Sequence, residues 1–110
     1  TLLWSYIGTK NGLADWFADD VQNEEKLFTF FWNKSSQQAH QIAVRSGSYI
    51  RFHWLDDEDE KSFFELRISS SELTGATMLV ITDFAYPDEM ADSRGLWDHQ
   101  IETLRRKLGV

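Results

Sequence analysis

The sequence contains no cysteine, little positive charge and no long apolar run, and each absence excludes a class of protein. Without cysteine the chain has no disulfide, no thiol nucleophile and no cysteine metal site. That composition fits a reducing cytoplasm, where we expect the protein. No apolar stretch approaches the roughly 20 residues that a membrane span requires. The 11 Lys and Arg residues against 18 Asp and Glu give a net charge of −7, which disfavours nucleic acid and anionic membrane surfaces as partners.

Aromatic side chains are abundant instead. Aromatic residues make up 15% and hydrophobic residues 42% of the 110 residues, so a few bulky rings dominate one core. Each ring buries roughly 150–250 Å², which is enough to line a cavity as well as to fill a core. We therefore predict a single globular domain over residues 1–110.

Apolar spacing near the start of the chain predicts two short helices. LLWSYI at residues 2–7 has near-helical spacing, and TKNG at 9–12 breaks it, with Thr9 or Asn11 able to cap the next helix. In LADWFADDV at 13–21, apolar residues recur at i, i+3 and i+4, which is typical of a helix with one apolar face.

After Glu25 the hydrophobic period changes to two, which predicts five strands in hairpin connection. The strand segments are LFTFFW (27–32), AHQIAV (39–44), SYIRFHW (48–54), FFELRI (63–68) and ATMLVITDF (76–84). The last segment is apolar on both faces over 78–81, which is typical of a central or doubly covered strand.

A long amphipathic helix is predicted at the C-terminal end. Pro87 and the acids after it favour a helix start, and Gly109 is well placed as the C-terminal cap. Gly95 predicts a break or a close contact within this region. An apolar stripe follows the spacing i, i+4, i+7 and i+11: Trp97, Ile101, Leu104 and Leu108.

Taken together, these segments resemble the START-like domains of the SRPBCC and Aha1-like superfamily, in particular its small bacterial single-domain members. The most specific features are the Trp16-Phe17 pair and the stripe of the C-terminal helix. The resemblance implies an α+β helix-grip fold, in which a curved antiparallel sheet wraps around the long C-terminal helix. In that fold the sheet and the helix enclose an apolar cavity.

One element of the family pattern has no counterpart in the sequence. START-like domains begin with a β-strand before the first helix, and no residues here supply it. We expect that this first strand is missing, that Thr1 lies just inside the first helix, and that the natural N-terminus lies upstream. A sheet edge left uncovered in this way would invite pairing with a second copy.

The resemblance implies binding of a hydrophobic small molecule or lipid of unknown identity but no particular chemistry, and our leading hypothesis is a non-enzymatic binding domain. Tyr6, Thr82 and Gln100 are candidates to orient such a ligand at the cavity mouth. A filled core is the alternative interpretation of the same rings. The predicted cavity lining combines alternating strand positions with the helix stripe: Phe28, Phe30, Trp32, Phe52, Trp54, Phe64, Leu66, Trp97, Ile101 and Leu104.

Five consecutive acids at 56–60, DDEDE, connect two predicted strands. A calcium-binding EF-hand loop needs acids at alternating positions and Gly at the sixth, but the sixth residue from Asp57 is Ser62. We predict a solvated loop that discourages edge-to-edge association. Weak calcium binding and a protein partner with a basic patch are the alternatives. The second would make the domain an Aha1-like interaction module acting through Asp56–Glu60.

The three histidines, His40, His53 and His99, fall on separate predicted elements, so we predict no metal site. The alternation of the strands places His53 on the outer sheet face, among residues that can form cross-strand charge pairs. Its predicted neighbours there are Tyr49, Arg51, Glu65 and Arg67.

No nucleophile motif surrounds any serine, so we assign no catalytic residue and no cofactor. A cyclase-like enzyme is the remaining alternative. It would need a carboxylate facing the cavity, and Asp83 and Glu65 are the candidates.

Overall fold

A computed structural model describes residues 2–110 and shows helices and strands in the order expected for an α+β domain. The elements are α1 (Leu2–Ile7), α2 (Lys10–Leu13), β1 (Asp20–Glu24), β2 (Leu27–Trp32), β3 (Ser35–Arg45), β4 (Tyr49–Trp54), β5 (Phe64–Ser70), β6 (Thr77–Thr82), a 3₁₀ turn (Pro87–Glu89) and α3 (Met90–Leu108). The predicted position of Thr1 inside the first helix falls outside the described residues. The missing first strand stays a prediction.

Within residues 2–110 the strands form one six-stranded antiparallel sheet in the order β1-β2-β3-β4-β5-β6. Every strand pairs with its neighbours in sequence, so short turns suffice to connect them. The sheet, the two short N-terminal helices and the long C-terminal helix confirm the predicted helix-grip fold class.

The predicted helix over 13–21 is wrong. Thr9 caps α2 by accepting a hydrogen bond from the Gly12 N–H at 3.0 Å, but α2 ends at Leu13. The chain then turns, and Val21 pairs with Phe30 in β1, a sixth strand that the sequence pattern did not reveal. Val21 is the one buried residue of β1. The alternation that marks a half-buried strand was therefore absent.

Two further predictions about single elements need correction. Strand β6 pairs with β5 alone, so within the described residues it lies at an edge of the sheet, not at its centre. Met78 and Val80 on its outer face are 44% and 42% exposed. Helix α3 runs unbroken through Gly95, where an added Cβ would meet no atom within 4 Å. The prediction of a break or a close contact at Gly95 is therefore wrong.

The C-terminal cap is confirmed. Gly109 has a φ of 78°, in the left-handed region that glycine adopts at low cost. Its N–H donates to the carbonyl oxygen of Arg105 at 2.9 Å, which satisfies one of the unpaired carbonyls at the helix end.

The hydrophobic core lies between the inner face of the sheet and the helices, with Phe17 near its centre. The Phe17 ring stacks on Phe64 at 5.5 Å between centroids and meets Phe30 edge to face at 5.0 Å. The buried indoles have polar partners, since Trp16 Nε1 donates to the Tyr6 carbonyl and Trp32 Nε1 to that of Phe17. This packing supports one side of helix α3.

Candidate functional site

The space between strand β6 and helix α3 is incompletely filled. Leu79 and Ile81 project from the inner face of β6, where Leu79 pairs with Ile68 and Ile81 with Leu66 of β5. Leu79 and Ile81 nevertheless stay partly exposed. Ile101 on α3 is also half-buried. The helix and the edge strand therefore face each other without closing, which leaves two adjoining grooves.

The first groove, here called the apolar groove, has a volume of about 660 Å³. That volume falls within the range of roughly 300–1,000 Å³ that is usual for small-molecule sites. Aliphatic side chains dominate its wall, and Arg105 carries the one charged side chain among the described lining residues. The lining residues are Leu3, Thr77, Met78, Leu79, Ile81, Ile101, Leu104, Arg105, Leu108 and Val110.

The second groove, here called the polar groove, has a volume of about 490 Å³ and shares Ile81 and Ile101 with the first. Asp83 borders it and accepts a hydrogen bond from Trp97 Nε1 at 3.0 Å. The lining residues are Ile81, Thr82, Asp83, Ala85, Met90, Ser93, Arg94, Trp97, Asp98 and Ile101. The two grooves are therefore neighbours, one with a mostly aliphatic wall and one with a more polar wall.

The ten residues predicted to line a cavity separate into two groups. Trp97, Ile101 and Leu104 line the grooves. The other seven line neither groove. Six of them are aromatic, and their rings pack against each other, as Trp54 does on Phe64 at 4.9 Å between centroids. Those seven form the core or border it: Phe28, Phe30, Trp32, Phe52, Trp54, Phe64 and Leu66.

Helix α3 is attached to the core at two points near the grooves. The Trp97 ring stacks on Phe17 at 5.6 Å between centroids, and Gln100 Nε2 donates to the Phe17 carbonyl at 2.9 Å. Gln100 therefore anchors the helix and is not available at a mouth, whereas Thr82 does line the polar groove. The backbone carbonyl of Tyr6 is occupied by the Trp16 indole.

Sequence reasoning missed Leu79, Leu108 and Arg105 as lining residues. A signal for Leu108 was present, because it continues the helix stripe. Leu79 left none, because the run over 78–81 is apolar on both faces, and only its pairing with Ile68 identifies its face. Arg105 belongs to a run of cations in the last turn of α3, which complements the helix dipole. Nothing in the sequence marks its side chain as the one that reaches the groove.

The outer face of the sheet carries the predicted cross-strand charge pairs. Arg51 Nη2 lies 2.8 Å from Glu65 Oε1, and Arg67 Nε lies 3.0 Å from Glu65 Oε2. Hydrogen bonds from Arg67 and from Arg51 lower the pKa of Glu65, although burial opposes the shift. Each guanidinium also covers a ring, since Arg67 lies over Tyr49 at 4.1 Å and Arg51 over Phe63 at 4.3 Å.

Neither acid proposed for an enzyme is a buried carboxylate that faces a cavity. Glu65 points to the outer face, away from both grooves, and its pKa is lowered. Asp83 does border the polar groove, but it is exposed and accepts hydrogen bonds from Trp97 and from the Phe84 N–H.

The acidic loop is ordered by its own hydrogen bonds. Asp57 accepts from the Ser62 hydroxyl and from the Asp59 N–H, and these bonds lower the pKa of Asp57. Asp59 in turn accepts from the Lys61 N–H at 3.0 Å. His53 Nδ1 lies 2.9 Å from the Ser62 carbonyl, which ties the loop to β4. No group of three or more His, Asp or Glu residues within 2–110 is arranged to hold a metal ion.

Among the helices of residues 2–110, none combines the length and the apolar character needed to cross a membrane.

Comparison with known proteins gives two matches. A family profile described as a START-like superfamily domain matches residues 1–110. The solution NMR structure of a structural genomics target from Bacteroides fragilis is similar to the chain, with a TM-score of 0.64 and 50% sequence identity. That match covers 97% of this chain and 79% of the other. No curated protein matches the chain.

Proposed function

The chain belongs to the START-like superfamily, and from this premise we propose that it binds a hydrophobic small molecule or lipid between strand β6 and helix α3 without catalysing a reaction. The observation that carries the proposal is the apolar groove, because its volume and aliphatic wall are those of a ligand site. Affinity would come from apolar ligand surface removed from water, at roughly 25 cal/mol per Å².

The proposed site lies beside the aromatic core and not within it. Of the predicted lining residues we retain Trp97, Ile101 and Leu104 for ligand contact. The seven strand residues support the wall, since fully packed rings such as Phe30 and Phe52 leave no room for a guest. Leu79 and Leu108 complete the contact surface.

The same proposal places the protein in the cytoplasm, which is supported by the absence of cysteine. A protein-interaction role through the acidic loop is the second candidate. The observation in its favour is that Asp56, Glu58 and Glu60 are exposed, whereas Asp57 and Asp59 are used to order the loop. Such a partner would bind with a steep dependence on salt.

Native mass spectrometry of the purified protein, followed by denaturing analysis of what is released, tests the ligand proposal. Ile101→Trp fills the space shared by both grooves with a larger ring and should abolish the bound mass. Leu96→Trp is the matched control, because Leu96 is 68% exposed on the same helix and lines neither groove. Circular dichroism confirms that each variant is folded.

The proposal is supported by a reproducible small hydrophobic mass on the wild type and on Leu96→Trp that is lost in Ile101→Trp. It is contradicted if the wild type carries no such mass and forms no complex with added palmitate or hexadecanol. Equal binding by all three proteins would contradict the location of the site.

A further inference from the structure

Among the residues described in the wall of the apolar groove, Arg105 has the one charged side chain. The ion pairs formed within residues 2–110 join Glu65 to Arg51 and to Arg67, so Arg105 has no carboxylate partner in this part of the chain. A guanidinium presents planar donors that match a carboxylate or phosphate, and it is less strongly hydrated than an ammonium. An unpaired arginine beside an aliphatic surface therefore favours an anionic group on whatever fills the groove.

Two further cations follow Arg105 on the helix. Arg105, Arg106 and Lys107 occupy the last turn of α3 in a protein whose net charge is −7. The helix C-terminus carries about half a negative charge, which offsets part of this local excess but not all of it. Of the three cations, only Arg105 lines a groove. The helix dipole explains why cations gather in the last turn of α3, but it does not explain why the Arg105 side chain borders the apolar groove.

The polar groove has the opposite balance. Asp83 and Asp98 border it together with a single cation, Arg94. An anionic group would meet net repulsion there, while the apolar groove offers a lone positive charge. The two grooves join at Ile81 and Ile101, so this difference in charge gives a bound amphiphile one preferred direction.

Resting on the proposed function, we infer that the ligand is an anionic amphiphile with a long alkyl chain, of the fatty carboxylate type. Its head group pairs with Arg105, and Thr77 lines the same groove. Its chain lies along Leu79 and Leu108 and extends toward Ile81 and Ile101. Arg105 is thus the residue that selects the class of ligand.

A matched pair of probes separates the head group from the chain. Palmitate and hexadecanol have alkyl chains of equal length, but only palmitate is charged. Binding of each is measured by isothermal titration to the wild type, to Arg105→Gln and to Arg106→Gln. Arg106 is the control because it is an exposed arginine in the same helix turn and lines neither groove.

We expect the wild type to bind palmitate about fivefold more tightly than hexadecanol, in the range of a partly exposed ion pair. Arg105→Gln should remove this preference and leave hexadecanol binding unchanged, and Arg106→Gln should keep the preference. Raising the salt concentration should reduce the preference as well.

Equal binding of palmitate and hexadecanol to the wild type would overturn this inference while leaving the proposed function intact. Loss of the preference in Arg106→Gln to the same degree as in Arg105→Gln would also overturn it, because general charge and not the groove residue would then be responsible. Binding of neither probe to the wild type would overturn this inference, and it would overturn the proposed function as well if the purified protein also carried no hydrophobic mass.

Discussion

The indole N–H of Trp97 donates a hydrogen bond to Asp83 Oδ2 across 3.0 Å and thereby joins helix α3 to the segment that follows β6. The same ring stacks on Phe17 at 5.6 Å between centroids. Trp97 is thus held from two sides, by the core and by the edge of the polar groove. These two contacts hold the Trp97 side chain in place in the wall of the polar groove.

The Trp97–Asp83 bond should contribute measurably to stability. Asp83→Ala and Trp97→Phe each remove one partner, and we expect a coupling energy of about 0.5–1 kcal/mol between them. Urea unfolding of the wild type, both single variants and the double variant measures it. Because Asp83 also accepts from the Phe84 N–H, the single Asp83→Ala loss alone is not diagnostic. Strictly additive losses would show that the bond contributes nothing.

Two glycines should respond in opposite ways to the same substitution. At Gly12 an added Cβ would overlap the Ser5 carbonyl oxygen and lie 2.6 Å from Tyr6 Cα, so Gly12→Ala should destabilise the domain by about 3 kcal/mol or more. At Gly95 the space is open and the backbone is helical, so Gly95→Ala should stabilise it by about 0.5–1 kcal/mol. Thermal unfolding of both variants tests this pair. A destabilised Gly95→Ala would contradict the continuous, open helix.

Glu65 should make the stability of the domain depend on pH in the acid range. Arg67 and Arg51 lower the pKa of Glu65 in the folded state, so the ionised carboxylate stabilises the fold. This stabilisation is fully present above the ordinary pKa of 4.5 and is lost as pH falls through the folded pKa. Glu65→Gln should lower the free energy of unfolding by roughly 2 kcal/mol at neutral pH. The difference between the two proteins should shrink below pH 4.5. A difference that is independent of pH would exclude the ion pairs as its source.

The hydrogen bond from Ser62 should be the main reason that the pKa of Asp57 lies below its ordinary value. Ser62→Ala removes that donor, and the pKa of Asp57 should rise toward the ordinary value of 3.8. A pH titration of the side-chain carboxyl carbons by NMR measures it residue by residue. Lys61→Ala serves as the control, because it leaves the Lys61 N–H bond to Asp59 in place. An unchanged Asp57 titration in Ser62→Ala would contradict the assigned cause.

Hydrophobic periodicity located most of this fold because most of its elements are amphipathic. The strand SYIRFHW alternates cleanly, and its inner Ile50 and Phe52 are buried while Arg51 pairs with Glu65 on the outer face. Strand β1 has one buried residue, Val21, so its pairing with β2 left no periodic trace. Its existence depends on contacts with another strand and not on local pattern.

The groove was harder to predict than the fold for a related reason. Alternation assigns Phe30 and Phe52 to one face of the sheet, and the pairing of Ile81 with Leu66 places Ile81 on that face too. Neither observation says which of the three side chains meets a neighbour and which meets empty space. Phe30 and Phe52 pack fully, and Ile81 at the edge strand does not. Such a difference arises from the distance between α3 and β6, which no local pattern records.

The measurement that tests the central claim most directly is a two-dimensional amide NMR titration of the isotope-labelled protein with palmitate. Binding between β6 and α3 predicts that the largest shift changes cluster over 77–82 and 101–108, with small changes at Arg51 and in the acidic loop. Changes centred on the inner positions of β2 and β4, or on the outer face of the sheet, would contradict the location of the site. The absence of any change at saturating palmitate and at saturating hexadecanol, in a protein that also carries no co-purified hydrophobic mass, would contradict the proposed binding of a hydrophobic ligand.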